Sequence, residues 1–503
     1  MISIGSRIGA ASSTNIDTLA TNFSRYMRIK WMNKIIGRVD EQRRLDKCMK
    51  TVEAQLIAVY GRRRVGKTYL IRNYFNGRFD FMLTGINNAS KDDQLQNFIM
   101  ELNSQTKKQY PRPQTWLEAF SLLRDYIESL DVDSKHVVFF DEMPWMDTLK
   151  SGFLSAFEWF WNGYGSTKDN LVFIVCGSAT SWMMENIDNN HGGLYNRLTC
   201  RIYIRPFSLK ETEEYLKSKE IEWSRYDIVQ CYMIMGGIPY YLRLLDSELS
   251  YNNNIDNLFF RKRAELWDEY TNLYSALFKN SNQYEKIVEA LSNKKSGLSR
   301  EQIIKETGLS NNGTLTRMLN DLEYSGFIRI NDFYGAKTKI YQLADYYTLF
   351  YYKFIRDNYG NDEHYWAHTL DNAARRAWSG YTFEQVCKDH VEQIKKKLGI
   401  SGVLSGISTW SKKGDSSGKG AQIDLIIKRR DRVINLCECK YSTDEYEIDN
   451  EYEMNLRNKA SSFVSNNRVK ESIQLTMITT YGVKRNKHSS VVNSEVTMDD
   501  LFG

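Results

Sequence analysis

The sequence has few prolines and lacks any long apolar run. Only 5 prolines occur in 503 residues, and no segment is of low complexity, so we expect the linkers between domains to be short or structured. The longest apolar stretches, residues 56–60 and 137–140, fall far short of the roughly 18 residues that a membrane-spanning helix needs. They are typical of buried strands, and we expect no membrane partner.

Cysteine pairs and a strong excess of one charge are also missing. The 7 cysteines are scattered without the paired spacing of a zinc site or a disulfide framework, which fits a reducing, cytoplasmic location. Basic residues number 68 and acidic residues 62, so the net charge is +6. This balance permits DNA or RNA as a partner but does not require either.

Hydrophobic residues make up 42% of the chain, and its length is that of roughly three globular domains. Residues 1–31 are rich in Ser and Thr, hold Asp17 as their one acidic residue, and lack the apolar core of a secretion signal. We expect a disordered extension there, or an upstream start with Met32 as the working first residue. A transit-peptide-like segment is the alternative.

Short apolar strands alternate with helical patterns over residues 32–207, which predicts an α/β core with a parallel sheet. Residues 208–278 show helical spacing without further strands and predict a helical lid, with an Asn-rich turn at residues 252–254. The strands of the core are predicted at residues 56–60, 79–83, 137–140, 171–175 and 201–204.

Residues 279–345 predict three helices followed by a hairpin, which is the order of a winged helix-turn-helix. Residues 281–345 hold 9 basic and 8 acidic side chains, a balance that attracts phosphate only weakly. DNA binding, contact with a protein partner and packing that changes with the bound nucleotide all stay open. An aromatic-rich helical linker at residues 346–377 leads to a final α/β segment at residues 378–503.

A glycine-rich motif follows the first predicted strand and opens a helix, which is the context that GxxxxGK[ST] needs. Its backbone N–H groups are predicted to bind the phosphates of ATP, Lys67 to reach the β and γ oxygens, and the Thr68 hydroxyl to ligate Mg²⁺. The phosphate-binding set is Gly61, Arg62, Arg63, Arg64, Val65, Gly66, Lys67, Thr68 and Tyr69.

Two acidic residues end the strand at residues 137–140. We expect Asp141 to hold the Mg²⁺ shell and Glu142 to polarise an attacking water. Ser178 follows the next strand and is predicted to orient that water if its strand lies between the other two. Arg197 can supply positive charge to the transferring phosphoryl group, although an arginine on a solvated loop is the commoner case.

Six motifs in this order resemble the archaeal-type AAA ATPase family: residues 36–41, 61–68, 141–142, 177–178, 194–197 and 236–240. The resemblance implies that Gly37 and Arg38 lie near the adenine and that Pro239 packs on the base. Signal-transduction (STAND) NTPases share this arrangement and switch between closed ADP and open ATP states. The chain departs from its relatives at Asn196, where they often carry glycine.

Two apolar strands near the C-terminus carry charged residues. Burying a charge in a sheet is costly unless the charge is paired or binds a metal. Glu438 and Lys440 alternate onto one strand face, and a hairpin can bring Asp424 beside them. Asp424 and Glu438 can bind a second divalent metal while Lys440 binds a water or phosphate, as phosphodiester cleavage requires. A structural ion pair is the alternative.

This pattern resembles the PD-(D/E)XK nuclease superfamily, and its surroundings resemble the uncharacterised C-terminal domain that recurs on archaeal-type ATPases. The resemblance implies that Glu384 is a further, helix-borne catalytic acid beside Asp424, Glu438 and Lys440. The predicted fold class is α/β: a P-loop parallel-sheet ATPase core with a helical lid, a winged helix-turn-helix and a C-terminal α/β restriction-endonuclease-like domain.

Two functions follow from these patterns. The first is an ATP-hydrolysing switch that controls a metal-dependent nuclease acting on DNA or RNA, with a protein partner bound through the winged helix as an addition. The second is a nucleotide-gated regulator or binding protein that does not cleave. A chaperone-like AAA machine is a weaker third hypothesis, and the sequence leaves the oligomeric state open.

Overall fold

The computed structural model describes residues 35–188, 193–194, 196–278, 280–358, 362–370, 372–414 and 420–503. The predicted extension at residues 1–31 and Tyr195 of the fifth motif lie outside these ranges. Within them, no helix combines the length and the apolar character needed to cross a membrane.

The first part of the described chain is a parallel sheet flanked by helices, as predicted. Its strands are β1 (Gln55–Tyr60), β2 (Phe81–Thr84), β3 (His136–Asp141), β4 (Leu171–Gly177) and β5 (Cys200–Tyr203). The order is β2-β3-β4-β1-β5, so β4 lies between the strand before the phosphate loop and the strand that ends in Asp141. Strands β1, β3 and β4 are buried throughout because helices cover both faces of the sheet.

Six helices belong to this core: α1 (Val39–Lys50), α2 (Lys67–Tyr74), α3 (Lys91–Thr106), α4 (Trp116–Glu128), α5 (Phe153–Gly163) and α6 (Thr180–Met183). Short 3-10 or π-helical turns occur at Met143–Trp145, Gly165–Thr167 and Met184–Asp188. Helix α2 begins directly at Lys67, so its first backbone N–H groups face the phosphate loop. This placement is what an anion-binding helix start requires.

The predicted lid is helical, with α7 (Leu209–Ser218), α8 (Arg225–Met235), α9 (Pro239–Leu242), α10 (Tyr251–Ile255), a π-helical turn (Asp256–Phe260) and α11 (Glu269–Leu277). The Asn-rich turn expected at residues 252–254 is wrong, because these residues lie in α10. The Ser250 side chain caps this helix, and the buried Asn254 amide donates to the carbonyls of Asp246 (2.9 Å) and Leu249 (3.1 Å). Cap and side-chain bonds together stabilise a helix that asparagine alone disfavours.

Three helices and an antiparallel hairpin follow in the predicted order, and we call them the middle domain: α12 (Ser281–Ser292), α13 (Arg300–Thr307), α14 (Gly313–Tyr324), β6 (Ile328–Asp332) and β7 (Lys339–Leu343). Helix α13 has Ser299 as its N-cap in a capping box with Gln302, and Gly308 ends it with φ 70°. A linker of α15 (Tyr346–Phe350), a π-helical turn (Tyr351–Ile355) and α16 (Tyr365–His368) comes next.

The C-terminal domain is built on a mixed sheet. Its elements are α17 (Ala373–Asp389), α18 (Val391–Lys397), β8 (Ser405–Lys412), β9 (Ala421–Arg429), β10 (Val433–Lys440), α19 (Asn450–Asn467), β11 (Ser472–Thr479), β12 (Ser494–Thr497) and the turns Ser489–Val491 and Met498–Phe502. The strand order is β12-β11-β10-β9-β8. Strands β8, β9 and β10 are antiparallel, whereas β10, β11 and β12 are parallel.

Candidate functional site

The phosphate loop joins β1 to α2. Its first glycine, Gly61, has φ 146°, and a Cβ there would lie 2.3 Å from the carbonyl oxygen of Ile204, so no larger residue fits. The buried Lys67 ammonium donates to the carbonyls of Gly61 (3.0 Å) and Arg62 (2.9 Å). The lysine side chain is therefore held against the phosphate loop. A phosphate that binds its ammonium group must compete with these two carbonyls.

Thr68 and Asp141 meet at the carboxyl edge of the sheet. The Thr68 hydroxyl donates to Asp141 Oδ2 at 2.8 Å, and the aspartate is buried at the end of β3. A hydroxyl and a carboxylate are hard oxygen ligands, which Mg²⁺ prefers. These two residues fit a magnesium ion at the place where the sequence predicts one.

Glu142 adopts a left-handed backbone with φ 48°, which is uncommon for a residue with a side chain. Its carboxylate accepts two hydrogen bonds from Ser178, one from the backbone N–H (3.0 Å) and one from the hydroxyl (2.8 Å). Because β4 lies beside β3, Ser178 reaches the acid directly. The serine is thus hydrogen-bonded to the predicted base, and its predicted role in orienting the water stays a prediction.

Arg38 joins the phosphate loop to the lid. Its guanidinium donates to the carbonyl of Val65 at 3.1 Å and lies 4.6 Å from the ring centre of Phe207. Burial lowers the pKa of Arg38, an effect that Glu211 and Glu41 oppose. The preceding Gly37 has φ 60°, and a Cβ on it would lie 2.5 Å from the Glu211 side chain. This close packing fixes the segment that the family resemblance places near the adenine.

Two arginines of the phosphate loop turn their side chains toward other parts of the protein. Arg62 is buried and forms a 2.5 Å ion pair with Asp345, which follows the hairpin of the middle domain. Arg64 pairs with the buried Glu269 of α11 and lies 4.2 Å from the Tyr240 ring centre. Both guanidinium groups therefore bind acidic residues that lie outside the loop. Their neighbours Arg63 and Tyr69 are half-buried and exposed, respectively.

Pro239 belongs to the lid, and Arg197 lies before the last strand of the core in sequence. Pro239 is the first residue of α9 and follows two glycines with positive φ; a Cβ on Gly237 would lie 2.2 Å from the carbonyl oxygen of Phe207. Arg197 is exposed in a turn before β5, and Asn196 there has φ 53°. Asparagine tolerates this left-handed conformation, so it can occupy the position where the family resemblance implies a glycine. Within the described ranges, the Arg197 side chain forms no hydrogen bond or ion pair with the other predicted residues.

The second candidate site is the charge cluster of the C-terminal domain, centred on Glu438. This buried carboxylate binds Lys440 (2.9 Å) and Lys459 (2.7 Å), and it accepts a hydrogen bond from the Tyr452 hydroxyl (2.7 Å). Burial raises the pKa of Glu438, but the two lysines outweigh it and hold the pKa below its ordinary value. Glu438 is thus ionised and already neutralised by its neighbours.

Asp424 lies next to Glu438 on the neighbouring strand, since Leu425 of β9 pairs with Cys437 of β10. It accepts the backbone N–H of Cys439 at 3.1 Å. Burial, with Glu438 as second cause, raises the pKa of Asp424 to about 6. Burial and then Asp424 raise the pKa of Glu384, on α17, to about 8. The structure therefore brings all four predicted residues of this site together.

Three members of the cluster were missed from the sequence. Tyr452 and Lys459 lie seven residues apart on α19 and so share a helix face. Lys388 lies four residues after Glu384 on α17, and burial lowers its pKa. The four-residue spacing between Glu384 and Lys388 places both on one helix face, so Lys388 could have been predicted from the sequence. Within the described part of the chain, no three His, Cys, Asp or Glu side chains are arranged to hold a metal ion.

Comparison with known proteins bears on the first site. Residues 36–245 match the family described as "ATPase domain predominantly from Archaea". An uncharacterised protein of Methanocaldococcus jannaschii is 25% identical over 398 residues, covering 78% of this chain and 83% of the relative.

Solved structures with similar folds include a Walker-type ATPase of Pyrococcus abyssi, with 18% identity, 63% of this chain and 95% of that chain covered, and a TM-score of 0.45. The ORC2 protein of Aeropyrum pernix, solved as ADPNP–ADP complexes, has 13% identity, 68% and 95% coverage, and a TM-score of 0.40. Taken with the phosphate loop and the family match, residues 36–245 of this chain form an ATPase domain of the archaeal type.

Proposed function

We propose that this protein is an ATP-hydrolysing switch of the AAA/STAND type, and that its C-terminal domain is a metal-dependent nuclease. The first part rests on the arrangement of side chains at the carboxyl edge of the sheet. Lys67 lies there with the hydrogen-bonded pair Thr68 and Asp141. Glu142 is there as well, and Ser178 fixes its carboxylate by hydrogen bonds. These residues supply the positive charge, metal ligands and general base that phosphoryl transfer to water needs.

In the proposed reaction, Lys67 leaves the loop carbonyls to neutralise the phosphate oxygens. Thr68 and Asp141 would hold Mg²⁺, which would offset the charge of the triphosphate. Ser178 keeps the Glu142 carboxylate in one orientation, and that carboxylate accepts the proton of the attacking water. Arg38 and Gly37 fix the segment expected beside the base, and Pro239 begins the lid helix that covers it.

The second part of the proposal rests on the carboxylates of the C-terminal domain. The order of elements there is two helices, three antiparallel strands, a helix and two parallel strands, which contains the helix, strand and helix order expected of a PD-(D/E)XK nuclease. Glu384 and Asp424 are neighbouring acids whose pKa values both rise, chiefly because of burial. A divalent metal would relieve their repulsion, and Lys440 could then orient a water or phosphate.

A specific contact favours the second candidate function, a nucleotide-gated binding protein that does not cleave. Glu438 is neutralised by both Lys440 and Lys459, so it must exchange an ammonium for a metal before it can act as a ligand. In this alternative, the cluster stabilises the fold and the domain binds nucleic acid or a protein.

One experiment separates the two functions. Labelled single- and double-stranded DNA and RNA are incubated with Mg²⁺ or Mn²⁺, with and without ATP, and cleavage by the unmodified chain is compared with cleavage by Lys440→Ala. Loss of cleavage in Lys440→Ala, but not in the control Lys487→Ala at an exposed lysine of the same domain, supports the nuclease. No cleavage by the unmodified chain under any condition, with ATP hydrolysis intact, favours the binding protein.

We further propose that the middle domain is a winged helix and that the protein works in the cytoplasm, where its free cysteines stay reduced. Helix α14 leaves Thr314, Thr316 and Arg317 exposed at its first turns, where a protein or nucleic acid can contact them. One basic side chain among these three gives little attraction for phosphate, so a protein partner fits this face better.

A further inference from the structure

The ion pair between Arg62 and Asp345 joins the phosphate loop to the end of the middle-domain hairpin, across 283 positions of sequence. Both side chains are buried, and the Arg62 guanidinium also lies 4.8 Å from the ring centre of Phe327. Breaking a buried pair leaves an uncompensated charge, which is far more costly than breaking a surface pair. A shift of Arg62 therefore has to be followed by Asp345.

Asp345 is fixed to the next helix as well. As the N-cap of α15, its carboxylate accepts the Thr348 backbone N–H (3.1 Å) and hydroxyl (2.5 Å). It follows the end of β7, where Gln342 lies three residues earlier. A displacement of Asp345 thus acts on both α15 and the last strand of the hairpin.

Gln342 connects this strand to the C-terminal cluster. It is buried, and its side-chain carbonyl accepts the Lys388 ammonium at 3.4 Å and the Asn331 amide at 2.7 Å. Lys388 belongs to the same helix turn as Glu384, whose charge opposes the lowering of the lysine's pKa by burial. The hairpin therefore touches the helix that carries the catalytic acid of the proposed nuclease.

A second contact holds the hairpin to the same helix. Asp389, at the end of α17, binds Arg329 of β6 at 2.5 Å and accepts the Tyr346 hydroxyl at 2.5 Å. The tip of the hairpin also lies on the edge strand β8, where the Tyr334 N–H donates to the Thr409 carbonyl at 2.9 Å. A hairpin that packs in this way cannot bind nucleic acid phosphates at the same time. Its contacts are therefore with other parts of this chain.

We propose that Arg62, Asp345, Gln342 and Lys388 form a relay through which nucleotide bound at the phosphate loop controls the C-terminal cluster. The inference rests on the proposed ATP-dependent switch and names its regulation. A phosphate that takes the Lys67 ammonium removes its bonds to the carbonyls of Gly61 and Arg62. Arg62 is then free to move, and its buried partner transmits the movement to the hairpin and α17.

Hydrogen–deuterium exchange of the full chain tests the relay, with ADP and a non-hydrolysable ATP analogue as probes. We expect the analogue to accelerate amide exchange in Ala373–Asp389 by about threefold or more in the unmodified protein. Asp345→Asn keeps the helix cap but removes the charge that holds Arg62, so this response should be lost while exchange at the loop still changes. Asp321→Asn is the matched control: Asp321 accepts the Tyr284 hydroxyl within the middle domain, away from the relay.

Reciprocity gives a second readout, because any coupling that ATP exerts on the cluster must act equally in reverse. Lys388→Met should change the Kd for the ATP analogue by about threefold or more, and this change should vanish in the Asp345→Asn background. An equal change in both backgrounds, or a persistent response of Ala373–Asp389 in Asp345→Asn, would overturn the relay. Failure of the unmodified chain to bind nucleotide would overturn the proposed function too, whereas binding without a response in α17 would overturn the relay alone.

Discussion

The two acidic sites of this protein differ in what neutralises them. At the end of β3, Asp141 and Glu142 accept hydrogen bonds from the hydroxyls of Thr68 and Ser178, which carry no charge. In the C-terminal domain, Glu438 is bound by two ammonium groups. The first arrangement is ready for a cation, and the second already contains its own counter-ions.

This difference predicts different consequences of mutation. Removing a charge at the first site should lower a reaction rate with little effect on folding, because the hydroxyl partners of these acids carry no charge that would be left unpaired. Removing one at the second site unbalances a buried cluster and should alter stability as well. Each variant below tests one side of this contrast.

The largest expected effect is at Lys67. Lys67→Ala removes the charge that neutralises the phosphate oxygens, and we expect ATP hydrolysis to fall by about 10³-fold. Steady-state phosphate release measures the rate, and thermal unfolding checks that the fold persists. Lys50→Ala, at an exposed lysine of α1, is the control. A Lys67→Ala variant that retained full hydrolysis would show that the ATP site is wrongly assigned.

A smaller effect is expected at Glu142. Glu142→Gln keeps the shape and the hydrogen bond from Ser178 but cannot accept a proton, so hydrolysis should fall by about 10²-fold. Binding of ATP should persist, since the residue is proposed to contact only the water. Single-turnover hydrolysis and a nucleotide-binding titration separate the two steps, with Glu53→Gln at an exposed loop as control. Equal losses of binding and hydrolysis would contradict the role of a general base.

The C-terminal cluster should make the free energy of unfolding depend on pH. The pKa of Glu384 rises from 4.5 to about 8, so the folded protein holds this proton more tightly than the unfolded chain does. The free energy of unfolding therefore falls as the pH rises from about 4.5 to about 8. Glu384→Gln stays neutral, and we expect it to be about 2 kcal/mol more stable than the unmodified chain at pH 8.5, with no gain at pH 4.5.

Urea denaturation at both pH values measures this effect, with the exposed Glu222→Gln as control. Parallel stability curves for Glu384→Gln and the unmodified chain would show that the carboxyl is not buried against Asp424. Adding Mn²⁺ at pH 8.5 extends the test: a metal bound by the two acids would stabilise the unmodified chain more than the variant.

The parts predicted well from the sequence depend on local patterns. Buried parallel strands are continuous apolar runs, so β1, β3 and β4 were placed within a few residues, and the phosphate loop is a contiguous motif. The error at α10 arose because asparagine side chains were taken as turn formers, whereas Asn254 is satisfied by buried backbone groups.

The parts missed depend on contacts between distant segments. Nothing in the spacing of residues around Asp345 shows that its partner is Arg62, and the sequence gives no reason to pair Lys459 with Glu438. Such pairs are set by how whole domains pack, which a pattern within one helix or strand does not contain. For the same reason, the sequence did not predict that the Arg62 and Arg64 side chains bind Asp345 and Glu269.

The smallest expected effect is at Ser178, and it tests the hydroxyl partners of the first site most directly. Ser178→Ala removes the 2.8 Å hydrogen bond to Glu142 but keeps the one from the backbone N–H. One neutral hydrogen bond contributes about 1 kcal/mol, so we expect kcat for ATP hydrolysis to fall about fivefold with KM unchanged. A loss as large as that of Glu142→Gln would mean that the serine contacts the reacting atoms themselves. No loss would mean that the backbone N–H and the strained φ of Glu142 are enough to orient the base.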